Sequence, residues 1–155
     1  MFSVKLLSDL HSVGEANAHL QFTPKYRRAV FQDDEIRLSC ELLLKSIAQK
    51  LGVTLVGLGF GPDHVHLFVS GWKNYSIAEM AQRFKGCTSR ALRKAHKNKI
   101  QKWLWGNHFW SGGYFYRTVG AVNNQTMIKY IKESQGKHWA KQPVHEAQTT
   151  LLSYA

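Results

Sequence analysis

Within Asp63-His64-Val65-His66-Leu67-Phe68, two imidazoles stand two residues apart. Side chains alternate along a β-strand, so both rings project from one face, at a spacing that can chelate one metal ion. A chance histidine pair on a half-exposed strand has the same spacing. Histidine is nevertheless a costly choice for a face that only needs to pack, and Val65, Leu67 and Val69 already supply the packing on the other face. Tyr130, beside Lys129 and Lys132, is the second candidate. Met127, Tyr130, Ile131 and Ser134 share one helical stripe, which a core aromatic also explains. In a strongly basic chain with a histidine pair, the nucleophile reading gains weight. A phenolate attacking phosphorus needs a cation to neutralise the phosphate and assist the departing oxygen.

The basic character is pronounced. Lys and Arg number 21 against 10 Asp and Glu in 155 residues, a formal charge of +11. Nucleic acid, an anionic membrane surface and an acidic protein all suit that balance. No apolar run approaches the roughly 18 residues that span a bilayer, and Met1 to Leu10 lacks a long secretory stretch. Basic residues interleave with Trp103, Trp105, Phe109, Trp110, Tyr114, Phe115 and Tyr116, which suits stacking on unpaired bases and equally suits core packing. Cys40 and Cys87 lie in separate helical patterns and indicate neither a disulfide framework nor a thiolate zinc site. A reducing, cytoplasmic setting at the nucleoid is expected.

These residues need elements to position them. With 44% hydrophobic residues, the chain suits one core and one domain, residues 1–136, followed by a mobile tail over 137–155. Asn17 to Phe22 reads as a strand, and the cluster Lys25-Tyr26-Arg27-Arg28 after Pro24 reads as a loop. Ile36, Cys40, Leu43, Leu44, Ile47 and Leu51 recur at helical steps, with Asp33 or Asp34 as N-cap and Gly52 as stop. Val53 to Phe60 and His64 to Ser70 form an antiparallel pair around Gly61-Pro62-Asp63, with the aliphatic face of the second strand buried. Ser76 and Glu79 make a capping box before a helix to Ala95, whose flank Lys85, Arg90, Arg93, Lys94 and Lys97 is either solvated or phosphate-facing. Trp105 to Val119 reads as a strand pair around Ser111-Gly112-Gly113, and Asn123 or Asn124 caps a last helix through Ser134. This order predicts an α+β fold, an antiparallel sheet with its first two helices on one face in a split βαβ arrangement. The other face would stay open for a ligand, with His64 and His66 pointing into it.

The segments Pro24-Lys25-Tyr26-Arg27-Arg28, Pro62 through Phe68, Phe84 through Arg90, Leu104 through Phe115, Thr118-Val119-Gly120 and Lys129-Tyr130-Ile131 resemble the single-tyrosine HUH transposases of the Insertion Sequence 200/605 type. The match runs in order from about residue 17 to 135. It implies a ferredoxin-like, RRM-like HUH endonuclease fold, with His64 and His66 binding Mg²⁺ or Mn²⁺ and Tyr130 attacking a DNA phosphate. The implied products are a 5′-phosphotyrosine link and a free 3′-hydroxyl. A homodimer acting on single-stranded DNA with hairpins at the element ends is implied too, its tyrosine helix commonly completing the partner's site. The family places a glutamine ligand four residues after the tyrosine, where this chain has Ser134. At about 100° per residue, Gln135 is rotated roughly 140° from Tyr130. Gln135 is the expected third ligand if the helix end unwinds before Gly136, with Glu133 or Ser134 as substitutes.

The basic loop Lys25, Arg27, Arg28 and the flank Lys85, Arg90, Arg93 are the expected phosphate contacts. A domesticated transposase or nickase would use the same chemistry. A non-catalytic RNA-binding module on an open sheet face is the competing class.

Overall fold

The computed structural model describes residues 6–8 and 10–120, positions 125, 128 and 129, and the backbone of Leu152–Ser153. In chain order these form β1 (Leu7–Ser8), β2 (Val13–Gly14), β3 (Asn17–Phe22), α1 (Asp34–Leu51), β4 (Thr54–Gly61), β5 (His64–Ser70), α2 (Ile77–Ala95), α3 (Lys97–Gln101), β6 (Phe115–Val119) and β7 (Leu152–Ser153). β1 and β2 pair with each other. The main sheet runs β6-β3-β5-β4-β7, with every neighbouring pair antiparallel. The units β3-α1-β4 and β5-α2-β6 therefore interleave, so that β3 and β5 take the centre. This is the split βαβ order expected from the sequence.

Local chemistry sets the helix ends. The Asp33 carboxylate accepts from the Glu35 and Ile36 N–H groups at 3.0 and 3.2 Å, and Gly52 closes α1 at φ 71°. Ser76 and Glu79 complete the capping box of α2 at 3.1 and 2.7 Å. Packing decides which way each helix faces. Ile36, Cys40 and Leu44 of α1 and Met80, Phe84 and Leu92 of α2 are buried against Leu20, Leu58 and Leu67 of the sheet. Fully burying such a side chain is worth roughly 1.5–3 kcal/mol, whereas intrinsic helix propensities differ by about 0.7 kcal/mol at most among ordinary residues. The apolar stripe wins. Among the described residues no helix is long and apolar enough to cross a membrane.

The segment from Trp105 to Val119 departs from expectation. Only Phe115–Val119 is a strand, and the first half meets residues 23–25 through one bridge, Pro24 with Trp110. Pro24 has no N–H to continue a ladder. The flanking bonds are Lys25 N–H to the Phe109 carbonyl at 2.8 Å and Ser111 N–H to the Thr23 carbonyl at 2.9 Å. Leu104, Phe109 and Trp110 anchor this segment in the core, and the Trp110 indole donates to Thr88 Oγ1 at 2.8 Å. Packing is thus the role of Phe109 and Trp110, whereas Trp105 and Tyr116 are exposed. Within the tail expected over 137–155, Leu152–Ser153 adds a short strand beside β4. The expected last helix lies largely outside the described residues, of which Gln125, Ile128 and Lys129 are helical.

Candidate active site

Register builds the site. On β3, Asn17, His19 and Gln21 alternate with Ala18, Leu20 and Phe22, so a polar row turns away from the helices. Antiparallel pairing sets Gln21 opposite His66 and His19 opposite Phe68 on β5. On the other side of β5, Gly61, Gly59 and Gly57 of β4 stand opposite His64, His66 and Phe68. The glycine at 61 is required by space. A Cβ there would lie 2.2 Å from Cε1 of His64, so any side chain would expel the imidazole.

His64 and His66 each have one nitrogen occupied and one left over. His64 Nδ1 lies 2.8 Å from Asp63 Oδ1. A carboxylate only accepts, so Nδ1 carries a proton, and when the ring is neutral Nε2 carries the lone pair. His66 Nδ1 lies 2.9 Å from His19 Nε2. Nε2 of His64 and Nε2 of His66 are both buried with no hydrogen-bond partner, on rings whose centroids are 4.9 Å apart. Burial, followed by His64 and His19, holds His66 well below the ordinary value of 6.5. Burial, and secondarily the Arg117 charge, lowers His19 to about 4. Neutral imidazoles with their far nitrogens already bonded are the form in which histidine ligates metals. The donor set fits a divalent cation at His64 and His66. Among the described residues no group of three His, Cys, Asp or Glu side chains is placed to share one ion.

The expected open face is not open. Every residue of β3 and of β5 is buried, His66 fully and His64 nearly so. Aromatic rings fill much of this side. His19 stacks on Phe68 at 4.5 Å and meets Phe115 edge-on at 5.5 Å.

Arg27 donates to Asp63 Oδ2 at 3.2 Å, linking the basic loop to the carboxylate that holds His64. Asp63 feels opposing influences: burial raises its pKa, whereas the His64 hydrogen bond and charge and the Arg27 charge lower it, for a net value below the ordinary 3.8. To reach Asp63, the loop takes left-handed backbone at two consecutive residues, Tyr26 (φ 57°) and Arg27 (φ 52°). Such strain clusters at functional sites. The other basic residues divide into two groups. Lys85 donates to the Ser111 and Gly113 carbonyls at 2.7 and 3.1 Å, and Arg93 donates to the His108 carbonyl, so both fasten the 108–113 segment to α2. Arg28 and Arg90 are exposed, while Lys25 is half-buried. Tyr130, Glu133, Ser134 and Gln135 lie outside the described residues.

Sequence reasoning assigned no role to His19 or the Asp63 carboxylate and read Gly61 only as part of the hairpin turn, where the structure makes it the last residue of β4, opposite His64. The period-two polar row at 17, 19 and 21 and the glycines at 57, 59 and 61 were the available signals.

Comparison with known proteins agrees with this geometry. Residues 12–134 match the family described as "Transposase IS200 like". The ISDra2 transposase TnpA of Deinococcus radiodurans is 29% identical over 119 residues, covering 77% of this chain and 84% of that protein. The transposase for insertion sequence element IS200 of Salmonella typhimurium is 26% identical over 122 residues, covering 79% and 78%. A crystal structure assigned to a Deinococcus radiodurans transposase superposes with TM-score 0.66 at 28% identity, covering 83% of this chain and 97% of that one. A REP-associated tyrosine transposase bound to a REP hairpin shares the fold, with TM-score 0.55 at 10% identity over 80% and 68%. With the histidine strand centred in a split βαβ sheet and the match spanning residues 12–134, this chain belongs to the IS200-like transposase family and is a transposase, an enzyme of DNA transposition.

Proposed function

We propose that the chain cuts single-stranded DNA with Tyr130 at a Mg²⁺ or Mn²⁺ ion held by His64 and His66, and rejoins it through a 5′-phosphotyrosine link. One observation carries this reading: two buried Nε2 atoms without partners, on rings whose Nδ1 atoms are held by Asp63 and His19. Bound there, the cation would neutralise the scissile phosphate and assist the departing oxygen. The protein's own part is to supply the nucleophile and hold the geometry. A phenol has an ordinary pKa near 10, so Tyr130 must lose its proton as it attacks. The Tyr130 Oη–P bond forms as the P–O3′ bond breaks, and the departing oxygen takes up a proton to become a 3′-hydroxyl. One phosphodiester is exchanged for another, so rejoining needs no ATP: a 3′-hydroxyl attacks the link and the phenol is restored. Gln135 is the proposed third ligand, with Glu133 or Ser134 as the substitutes.

Hairpin DNA at the element ends is the proposed partner, in keeping with the REP hairpin bound by the structural relative. Lys25, Arg27, Arg28 and Arg90 are the proposed phosphate contacts, whereas Lys85 and Arg93, expected in the same role, are taken up by the carbonyls of the 108–113 segment, and exposed Trp105 suits stacking on an unpaired base. The acting form is a homodimer. Incubation with hairpin-bearing single strands from the flanking DNA and Mn²⁺ should give a covalent protein–DNA adduct, lost in excess chelator and in Tyr130→Phe. An adduct made by Tyr130→Phe would remove the nucleophile assignment, and one that persists in chelator would remove the cation. Hairpin binding with no adduct under any condition would favour a non-catalytic nucleic-acid module.

A further inference from the structure

We propose that His19 is a positioning residue of the site, accepting the Nδ1–H of His66 at its own Nε2 and so leaving the buried His66 Nε2 as a lone pair free to ligate with that of His64. The inference rests on the cation reading of His64 and His66. Between two neutral imidazoles 2.9 Å apart, one nitrogen donates and the other accepts. If His19 donated, His66 would carry its proton on Nε2, the atom that is buried without a partner, and could not ligate there. If His66 donates, that atom is a lone pair on a ring whose centroid is 4.9 Å from that of His64, where Asp63 holds the proton at Nδ1 and leaves Nε2 without a partner. Only the second arrangement makes the two rings a matched pair of ligands.

Packing alone does not call for histidine at position 19. Its ring is parallel to Phe68 within 6° and is met edge-on by Phe115, contacts that a phenylalanine would also make. What the imidazole adds is a nitrogen directed at His66. The two histidines are then held by different devices: a charged carboxylate reached by Arg27 for His64, and a fully buried neutral ring for His66. Partners of this kind fix the tautomer and orientation of a ligating imidazole, and losing one typically lowers metal affinity by roughly 10–100-fold.

The test uses the full-length protein without DNA. Long-range ¹⁵N NMR of the metal-free wild type should show His66 protonated at Nδ1 and bare at Nε2. Mn²⁺ titration should give affinity roughly 10–100-fold weaker for His19→Phe than for wild type. His19→Gln, whose side-chain carbonyl reaches about as far as the imidazole Nε2, should recover most of it. A wild-type His66 with its proton on Nε2, or His19→Phe binding Mn²⁺ as wild type does, would overturn the role of His19. His64→Ala and His66→Ala separate this from failure of the cation reading. If they too bind Mn²⁺ normally, the ion is elsewhere, and the wild-type tautomer alone decides whether His19 orients His66.

Discussion

On the helix side of the sheet, Leu20, Leu67 and Leu58 form one cross-strand row, while on the opposite side the neighbouring row is Gln21, His66 and Gly59. All six residues are buried. The leucine row gains roughly 1.5–3 kcal/mol for each side chain removed from water. The second side keeps two imidazole nitrogens unpaired, and a buried polar atom left without a partner costs about 1–3 kcal/mol. Burial therefore does not separate core from site on this sheet, whereas two unpartnered imidazole nitrogens on adjoining rings do. The cation proposed at His64 and His66 would recover that cost.

The strongest way to break this contrast is to exchange effects along β5. His66→Ala should abolish adduct formation; it removes one unsatisfied nitrogen but opens a cavity and takes from His19 its hydrogen-bond partner, so its stability cost should be no larger than that of a core leucine. Leu67→Ala, one residue on, should cost about 2–5 kcal/mol of stability and leave the chemistry of the folded fraction intact. Denaturant melts and an adduct gel decide. If His66→Ala unfolded the protein while Leu67→Ala did not, the two faces would have been assigned the wrong way round.

A glycine pair sharpens it next. Gly61→Ala places a methyl against the His64 ring and should weaken Mn²⁺ binding severely in a protein that still folds. Gly52→Ala, at φ 71° in open space, should leave metal affinity alone and cost roughly 1–2 kcal/mol for left-handed backbone. Equal Mn²⁺ affinities in the two variants would show that the close approach at residue 61 has no bearing on the site.

Asp63→Asn should lower metal affinity roughly tenfold to a hundredfold. It also has a pH signature. The folded carboxyl is held below its ordinary 3.8, so its contribution to stability is complete above that value and is lost as pH falls through the lower folded one. Acid melts of the wild type should show that loss, and those of Asp63→Asn should show less of it. Superimposable acid limbs would remove the Asp63–His64 linkage.

The smallest effects concern the basic residues. Arg28→Ala and Arg90→Ala should each reduce the salt slope of single-strand binding by roughly 0.7 and barely change stability. Lys85→Met should instead cost about 1 kcal/mol and speed amide exchange around Ser111 to Tyr114 as its carbonyl contacts are lost. An unchanged salt slope in Arg90→Ala would mean that this flank of α2 is only solvated.

Much of the fold was legible because its signals are local. Asp33, Gly52, Ser76 and Glu79 announce helix ends by hydrogen bonds spanning at most five residues, and Pro62-Asp63 announces the hairpin. Residues 105–114 misled because a β-rich, glycine-punctuated composition looks the same whether it pairs as a strand or fills a core. Phe109 and Trp110 do the latter, against Phe22 and Phe31. The open face failed for a related reason. Alternation states which residues share a side and nothing about what the neighbouring strands place there.

The sequence by itself determined that His64 and His66 share a face of one strand, because that follows from a two-residue repeat and two bonds of backbone geometry. It also fixed the helix ends and the basic charge. Only the tertiary structure decided that His19, 47 residues from His66, becomes its hydrogen-bond partner, and that Arg27, 36 residues from Asp63, becomes its ion pair. It decided as well that Lys85 and Arg93 are drawn to backbone carbonyls of the 108–113 segment. These contacts depend on strand order and register, which are set by burying Leu20, Leu58 and Leu67 together under two helices. Each residue of a polar row is positioned by the free energy of the apolar row behind it, and that sum is taken over the whole chain.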